Sequence, residues 1–155
     1  MIAYRCIPMP TEIAERFRQT GQDDGGNSLR RVRADSGSPC RHCLHDAIPG
    51  DGLLLGSYHF GDPQGIYWAP SPVWVHAESC PQFAQSDTVP EIVRNRLVSV
   101  RAYDSQDQMI YELGEVCPGT EVEAPLGRAL GDPRTGYVNI HTAGPGCFLC
   151  RAERR

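Results

Sequence analysis

The sequence predicts a single α+β domain with a mostly antiparallel sheet and two or three short helices. Three observations lead to this prediction. The 155 residues are the length of one ordinary domain, and no internal repeat or linker divides them, so residues 1–155 are taken as one unit. Several short runs alternate apolar and polar residues, which is typical of half-buried strands. Two pairs of these runs are joined by short polar or glycine-rich segments, which predicts antiparallel hairpins.

The N-terminal segment predicts a strand, a helix and a loop. Ile2–Ile7 alternates apolar and polar residues and ends before a proline, so it is predicted to be a strand. Thr11 is expected to cap a helix over Glu12–Gln19, whose acidic residues suit the positive end of the helix dipole. Gly21–Ser38 is rich in Gly, Asp, Ser and Arg, and is predicted to be a mobile loop.

The central segment carries two further strands between turns. Cys40–Ala47 is predicted to form one or two helical turns, and Pro49–Gly52 a tight turn. Leu53–Phe60 and Val73–Ala77 are predicted strands, and Gly61–Pro72 between them is predicted to be a loop that carries Tyr67 and Trp68.

The C-terminal half predicts short helices and two hairpins. The helices are Pro90–Arg96 and, less clearly because of its internal proline and glycine, Thr120–Leu130. The hairpins pair four strands in chain order, namely Leu97–Tyr103 with Met109–Val116, and Tyr137–Thr142 with Cys147–Ala152.

Composition excludes several classes of protein. A net charge of −4 argues against a dedicated nucleic-acid binder, and no apolar run is long enough to span a bilayer. The N-terminus has no signal-peptide pattern, so a cytoplasmic location is expected. All 15 basic residues are arginine, which excludes lysine Schiff-base chemistry. The sequence has no P-loop, no dinucleotide-binding glycine motif, no nucleophile elbow and no zinc-protease motif.

The seven cysteines raise the question of thiol chemistry, and Cys40-x-x-Cys43 is the sharpest local motif. Two thiolates at this spacing are half of a zinc shell, which either His76 with Cys80 or Cys147 with Cys150 would complete. A redox pair is the second interpretation, although a glycine-rich segment rather than a strand precedes the motif. Packing of both thiols in a turn is the third.

Polar residues on the predicted strands suggest a pocket. Arg101 is a candidate clamp for a carboxylate or phosphate, with Tyr103 on the same strand face as a donor. His76 and His141 are candidate general bases, and Cys147 is a candidate nucleophile beside His141. Two further side chains are predicted to contact substrate with Arg101, namely Trp74 and Arg41.

Four sequence blocks carry a resemblance to a known family. They are Cys40–Leu44 with Pro49-Gly50, Pro72–Ala77 with Cys80, Leu97–Tyr103 with its Arg101-x-Tyr103, and Tyr137–His141 with Gly146-Cys147-Phe148. In this order and spacing they resemble a bacterial family catalogued as domain of unknown function 1203. The resemblance implies a small single-domain bacterial protein and no particular activity.

Three hypotheses follow. The favoured one is an enzyme that acts on a small anionic metabolite through a Cys/His/Arg pocket on a sheet. The second is a zinc-binding domain built on Cys40 and Cys43 with either His76 and Cys80 or Cys147 and Cys150, and Cys80 is the third ligand that is named. The third is a non-catalytic interaction domain, in which Tyr67 and Trp68 form an exposed contact patch. A small-molecule ligand is expected, nucleic acid and membrane partners are not, and the oligomeric state stays open.

Overall fold

The computed structural model of the protein describes residues 2–62, 65–84 and 88–155. The strands, numbered in chain order, are β1 (Tyr4–Ile7), β2 (Arg30–Arg33), β3 (Ser38–Pro39), β4 (Asp46–Ala47), β5 (Gly52–Tyr58), β6 (Ser71–His76), β7 (Leu97–Asp104), β8 (Glu115–Pro118), β9 (Thr135–Thr142) and β10 (Phe148–Arg154). The α-helices are α1 (Thr11–Thr20), α2 (Glu91–Arg94) and α3 (Glu123–Gly131), and two 3₁₀ turns lie at Tyr111–Leu113 and Gly119–Glu121. The predicted α+β class is confirmed.

The larger sheet has five antiparallel strands in the order β1-β10-β9-β7-β8. One face packs against α3 and is apolar: Val100 and Val138 are fully buried in the same core cluster as Leu126. The opposite face carries the polar residues of the alternating strands, including Arg101 and Asn139. The alternation of apolar and polar residues therefore gives this sheet one core face and one face available for a site.

A smaller sheet, β2-β5-β6, packs against α1. Phe17 of α1 and Val73 and Val75 of β6 are fully buried in its core cluster. Phe148, the first residue of β10, belongs to the same cluster, so the two sheets meet at the start of β10. A two-stranded ladder of β3 and β4 lies beside the smaller sheet.

The second hairpin is as predicted, whereas the first differs in detail. β9 and β10 pair antiparallel through a turn at 143–147. β7 pairs with β8 at 115–118, because Tyr111–Leu113 turns into a 3₁₀ helix instead of continuing the predicted strand Met109–Val116. α3 does form, and Pro125 is tolerated because it is the third residue of the helix, where its missing N–H has no helical partner to lose.

Three local predictions are wrong. Gly21–Ser38 is not a loop throughout, since Arg30–Arg33 forms an edge strand that pairs with β5. Cys40–Ala47 is not helical: Leu44 has a positive φ of 55° and its N–H donates to the Cys40 carbonyl, so the chain makes a tight turn. Thr11 is not a cap, because the helix begins at Thr11 after Pro10 and the Thr11 hydroxyl instead contacts His42 Nε2 at 2.9 Å.

The helices are short, the longest being the ten residues of α1. Within the described ranges, none is long and apolar enough to cross a membrane. The part of the predicted aromatic loop at residues 63 and 64 lies outside the described residues.

Candidate functional site

Three cysteines and one histidine converge at the edge of the smaller sheet. The ligand atoms of Cys40, Cys43, His76 and Cys80 all lie within 4.8 Å of one another. Cys40 and Cys43 are buried, whereas His76 and Cys80 are half-buried. The four residues come from three separate segments, which are the turn after β3, the last residue of β6 and the irregular chain beyond it. The fold therefore assembles a site that no single segment contains.

Two distances inside this cluster match edges of a tetrahedron around a metal, and the remaining ones lie within 4.8 Å. Cys40 Sγ lies 3.9 Å from Cys80 Sγ, and Cys43 Sγ lies 3.6 Å from His76 Nδ1. Zinc bonds of about 2.3 Å to sulfur and about 2.0–2.1 Å to nitrogen give tetrahedral edges of about 3.8 Å between two sulfurs and about 3.6 Å between sulfur and nitrogen. The arrangement is thus the right size for one tetrahedral zinc ion.

Local backbone structure explains how these side chains meet. The Cys40 N–H donates to the His45 carbonyl, and the Arg41 N–H donates to the Trp74 carbonyl, so the turn is closed on itself and fixed to β6. His76 is on the face of β6 opposite the buried Val73 and Val75, as its alternation predicts. Its own N–H donates to Cys40 Sγ at 3.4 Å. The turn and the strand therefore hold Cys40, Cys43 and His76 in register.

Three side chains that sequence reasoning did not place here surround the ligands. Asp51 Oδ2 lies 3.3 Å from His76 Nε2, which leaves Nδ1 to face the sulfurs. Arg18 donates to Cys80 Sγ at 3.5 Å, and His42 Nδ1 lies 3.2 Å from the same sulfur. Asp51 and Arg18 come from other segments, so no sequence spacing signals them, whereas His42 is buried inside the Cys-x-x-Cys turn itself.

The close contacts between these side chains shift the pKa values of His76, Cys80 and Cys43. The thiols of Cys40 and Cys80 raise the pKa of His76 to about 10. Hydrogen bonds from Cys40 and Cys43, with those from the two histidines, lower the pKa of Cys80, whereas contacts with Cys40 and Cys80 raise the pKa of Cys43. Cys80 therefore ionises more readily than Cys43, beside a protonated His76.

A cleft of about 530 Å³ lies apart from the cluster, on the polar face of the larger sheet. Its floor carries Arg101 from β7, Asn139 and His141 from β9 and Arg151 from β10. Its walls are mainly aromatic residues, namely Tyr58, Phe60, Tyr67, Trp68, Tyr103, Tyr137 and Phe148. Four residues predicted as a pocket from the sequence, Arg101, Tyr103, His141 and Cys147, all line it.

Three other predicted pocket residues lie elsewhere. His76 belongs to the metal cluster. Trp74 packs against the small apolar cluster around Leu53. Arg41 is buried to 2% exposure, and its guanidinium donates to the carbonyls of Phe148 and Pro39 at 2.7 and 2.6 Å. Arg41 is thus a structural cation, because its hydrogen bonds point into the protein interior.

The predicted nucleophile and base share the cleft without touching. His141 Nδ1 donates to the Gly146 carbonyl at 3.0 Å, and the Cys147 N–H donates to Thr142 Oγ1 at 2.9 Å. Within the described residues no hydrogen bond joins the imidazole to the Cys147 thiol.

The seven cysteines, all in described segments, are free thiols, and Cys6, Cys117 and Cys150 are buried in the main core. Cys150 is therefore not part of the metal cluster.

The two aromatic residues of the proposed contact patch are half-buried. Tyr67 stacks edge-on against Tyr103 with ring centres 6.2 Å apart, and Trp68 meets His59 at 4.5 Å. Both line the cleft. They form one wall of a concave site and not a flat exposed surface.

Comparison with protein-family models gives a match over residues 37–154 to the family described as Protein of unknown function (DUF1203). The chain belongs to this family. The match confirms the resemblance seen in the Cys40, Pro72, Leu97 and Tyr137 blocks. Searches of curated proteins and of solved structures found no match.

The matched segment contains both sites of this DUF1203 protein. The four candidate metal ligands lie within residues 37–154, and so do the cleft residues. Arg18 and Thr11, which contact Cys80 and His42, lie before the matched segment. The family description carries no activity, so the geometry alone guides the functional argument.

His141 predicts a pH dependence of stability. Burial, with the nearby Arg101 guanidinium, lowers the pKa of His141 to about 4 from 6.5. Between these pH values the unfolded chain binds a proton that the folded protein does not, so stability is lost as pH falls. Urea unfolding at about pH 7 and about pH 4.5 should show that His141→Gln reduces this loss by about 2 kcal/mol. The exposed His45→Gln control should change it by less than about 0.5 kcal/mol. Equal losses for wild type and His141→Gln would contradict the assignment.

Proposed function

We propose that this protein is a zinc-binding domain in which Cys40, Cys43, His76 and Cys80 hold one structural metal ion. The observation that carries the proposal is the convergence of the four ligand atoms within 4.8 Å, with two edges of tetrahedral length. Packed cysteines without a role in metal binding have no reason to meet a histidine at these distances.

The donor set favours zinc over other metals. Three sulfurs and one imidazole are soft and borderline ligands, whereas calcium and magnesium require oxygen ligands. Four protein ligands fill a tetrahedral shell, which is typical of structural sites; catalytic zinc keeps one position open for water or substrate. The proposed metal is therefore a cross-link and not a reaction centre.

The surroundings support a charged site of this kind. Three thiolates and Zn²⁺ leave one net negative charge, and Arg18, whose side chain is 9% exposed, places a cation against Cys80 Sγ. His42 Nδ1 and the His76 backbone N–H supply further donors to the sulfurs. Asp51 would accept from His76 Nε2 and fix the tautomer that presents Nδ1, as carboxylates commonly do behind zinc-bound histidines.

A structural metal has a clear task in this fold. Cys80 lies in a segment that forms neither helix nor strand over its described residues between β6 and α2. Only scattered hydrogen bonds hold it, such as the Phe83 N–H to the His42 carbonyl. The metal would attach this segment to the turn and to β6. Because the ligands must be reduced thiols, the proposal also favours a reducing compartment such as the cytoplasm.

Metal analysis of the purified protein tests the proposal. Protein produced with zinc in the medium and never exposed to a chelator should contain about one zinc per chain. Cys43→Ser should reduce this to less than about a tenth, because serine is a poor zinc ligand. Cys117→Ser makes the same substitution at a buried cysteine outside the cluster and should retain the metal. Wild-type protein without zinc, or Cys43→Ser with a full equivalent, would overturn the proposal.

A further inference from the structure

We propose that the cleft on the polar face of the larger sheet binds a small organic carboxylate with a planar, apolar body, and that Arg101 receives the carboxylate. This inference goes beyond the zinc site and does not rest on it. No atom of the four metal ligands lines this cleft, and the cleft residues come from other strands.

Arg101 carries the argument because its charge has no counterion. Its Nε donates to Ser99 Oγ at 3.3 Å, and among the described residues no ion pair joins it to a carboxylate. The strand neighbours Val100 and Ala102 are fully buried on the opposite face, so the backbone that presents Arg101 is rigid. Arg101 also forms a side-chain hydrogen bond with Tyr103. A guanidinium held in this way, without a carboxylate partner, is well suited to bind two oxygens of a carboxylate in one plane.

The second arginine is already engaged. Arg151 lies between two rings, with its guanidinium carbon 4.1 Å from the centre of Phe60 and 3.8 Å from that of Tyr137. Its Nε donates to Asn139 at 3.1 Å. It therefore contributes positive potential and a flat wall, and Arg101 is left as the free anion receptor.

Aromatic rings provide the rest of the binding surface. Tyr103 and Tyr137 stack with ring centres 5.1 Å apart, and Tyr67 meets Tyr103 edge-on. Such walls bind flat apolar groups, and they would exclude water from the ion pair between Arg101 and the carboxylate of a bound ligand. Two cleft residues also have a buried polar atom without a protein partner in the described segments, namely Trp68 Nε1 and His141 Nε2. A ligand with polar atoms would give both of these atoms a hydrogen-bond partner.

The charges of the cleft residues favour a carboxylate over a phosphate as the ligand. Two aspartates, Asp62 and Asp107, line the cleft together with the two arginines, and Asp107 accepts a hydrogen bond from the Tyr137 hydroxyl at 2.8 Å. His141 is neutral at physiological pH because its pKa is lowered to about 4. A cleft with balanced charges and one unpaired guanidinium suits a ligand with one negative charge better than a dianion.

Calorimetric titration of the metal-loaded protein tests the inference with defined probes. Benzoate and 4-hydroxybenzoate should bind, and benzamide, which has nearly the same shape and no charge, should bind at least about tenfold more weakly. Phenyl phosphate should also bind more weakly than benzoate. This comparison uses only the wild-type protein, so it holds even where a variant fails to fold.

Substitution of the receptor gives a second readout. Arg101→Gln should weaken benzoate binding at least about tenfold while its binding of benzamide stays the same. Arg128→Gln removes an exposed arginine that pairs with Glu115, far from the cleft residues, and should leave both affinities unchanged. The proposal is overturned if millimolar benzoate does not bind, if benzamide binds equally well, if phenyl phosphate binds more tightly, or if Arg101→Gln has no effect.

Discussion

Removal of zinc from the loaded protein is expected to lower the midpoint of thermal unfolding by roughly 8–16 °C. A ligand present at about a thousandfold over its Kd stabilises the folded state by about 4 kcal/mol. In a domain of this size, each kcal/mol shifts the midpoint by about 2–4 °C. Without metal, the cluster leaves three thiols and an imidazole within 4.8 Å of one another, and the segment that carries Cys80 loses its attachment.

Scanning calorimetry with and without a chelator measures this shift, and returning zinc should restore the midpoint. The solutions should contain a reductant, because Cys40 Sγ and Cys80 Sγ lie 3.9 Å apart and an oxidant would join them. Cys43→Ser should unfold at the lower midpoint whether or not zinc is added, and Cys117→Ser should respond like wild type. A chelator that removes the metal and leaves the midpoint unchanged would refute a structural role.

Elements governed by local alternation could be predicted from the sequence. Val138 and Ile140 alternate with Asn139 and His141, and the structure places the first pair in the core and the second pair in the cleft. Strand β2 could not be predicted, because three of its four residues are arginines and because it pairs with Leu53–Leu55, which are distant from it in the chain. Its charged side chains suit an edge strand that must not pair with another chain.

The turn at Cys40 shows how tertiary contacts override local composition. The residues around it are compatible with a helical turn, yet Cys40 forms a bridge to Trp74 and Leu44 adopts a positive φ. These contacts aim both thiols of the motif at the end of β6. The sequence motif identified two thiols of the site, whereas the backbone conformation came from strand partners distant in the chain.

The composition of the metal cluster was only partly predictable. Residue types and spacing named Cys40 and Cys43, and left open whether His76 with Cys80 or Cys147 with Cys150 completes the shell. That choice depends on which strands pair, and spacing alone does not determine it. The supporting contacts of Asp51 and Arg18 are further from any sequence signal, because each is made by a residue of another segment.

Arg41→Met is expected to destabilise the protein by about 1 kcal/mol. Its guanidinium joins the turn that carries Cys40 and Cys43 to the start of β10 through the carbonyls of Pro39 and Phe148. Burial lowers the pKa of Arg41 to about 10 from 12.5, so the charge itself costs stability at neutral pH and its removal is favourable. Removing the buried charge offsets about 3 kcal/mol, whereas losing a hydrogen bond at each of two buried carbonyls costs about 1–3 kcal/mol apiece, so the hydrogen bonds decide the sign by a small margin.

Urea unfolding of zinc-loaded Arg41→Met, Arg41→Lys and Arg128→Met separates the causes. Lysine keeps the charge and lacks the planar fork that reaches two carbonyls at once, so Arg41→Lys should also be destabilised. Arg128→Met removes an exposed arginine with a surface ion pair and should change the free energy of unfolding by less than about 0.5 kcal/mol. If Arg41→Met were as stable as wild type and Arg41→Lys were not, the cost of burying the charge would exceed the value of the two hydrogen bonds. Arg41 would then be a liability that the fold tolerates, and not the link between the zinc-binding turn and the strand that lines the cleft.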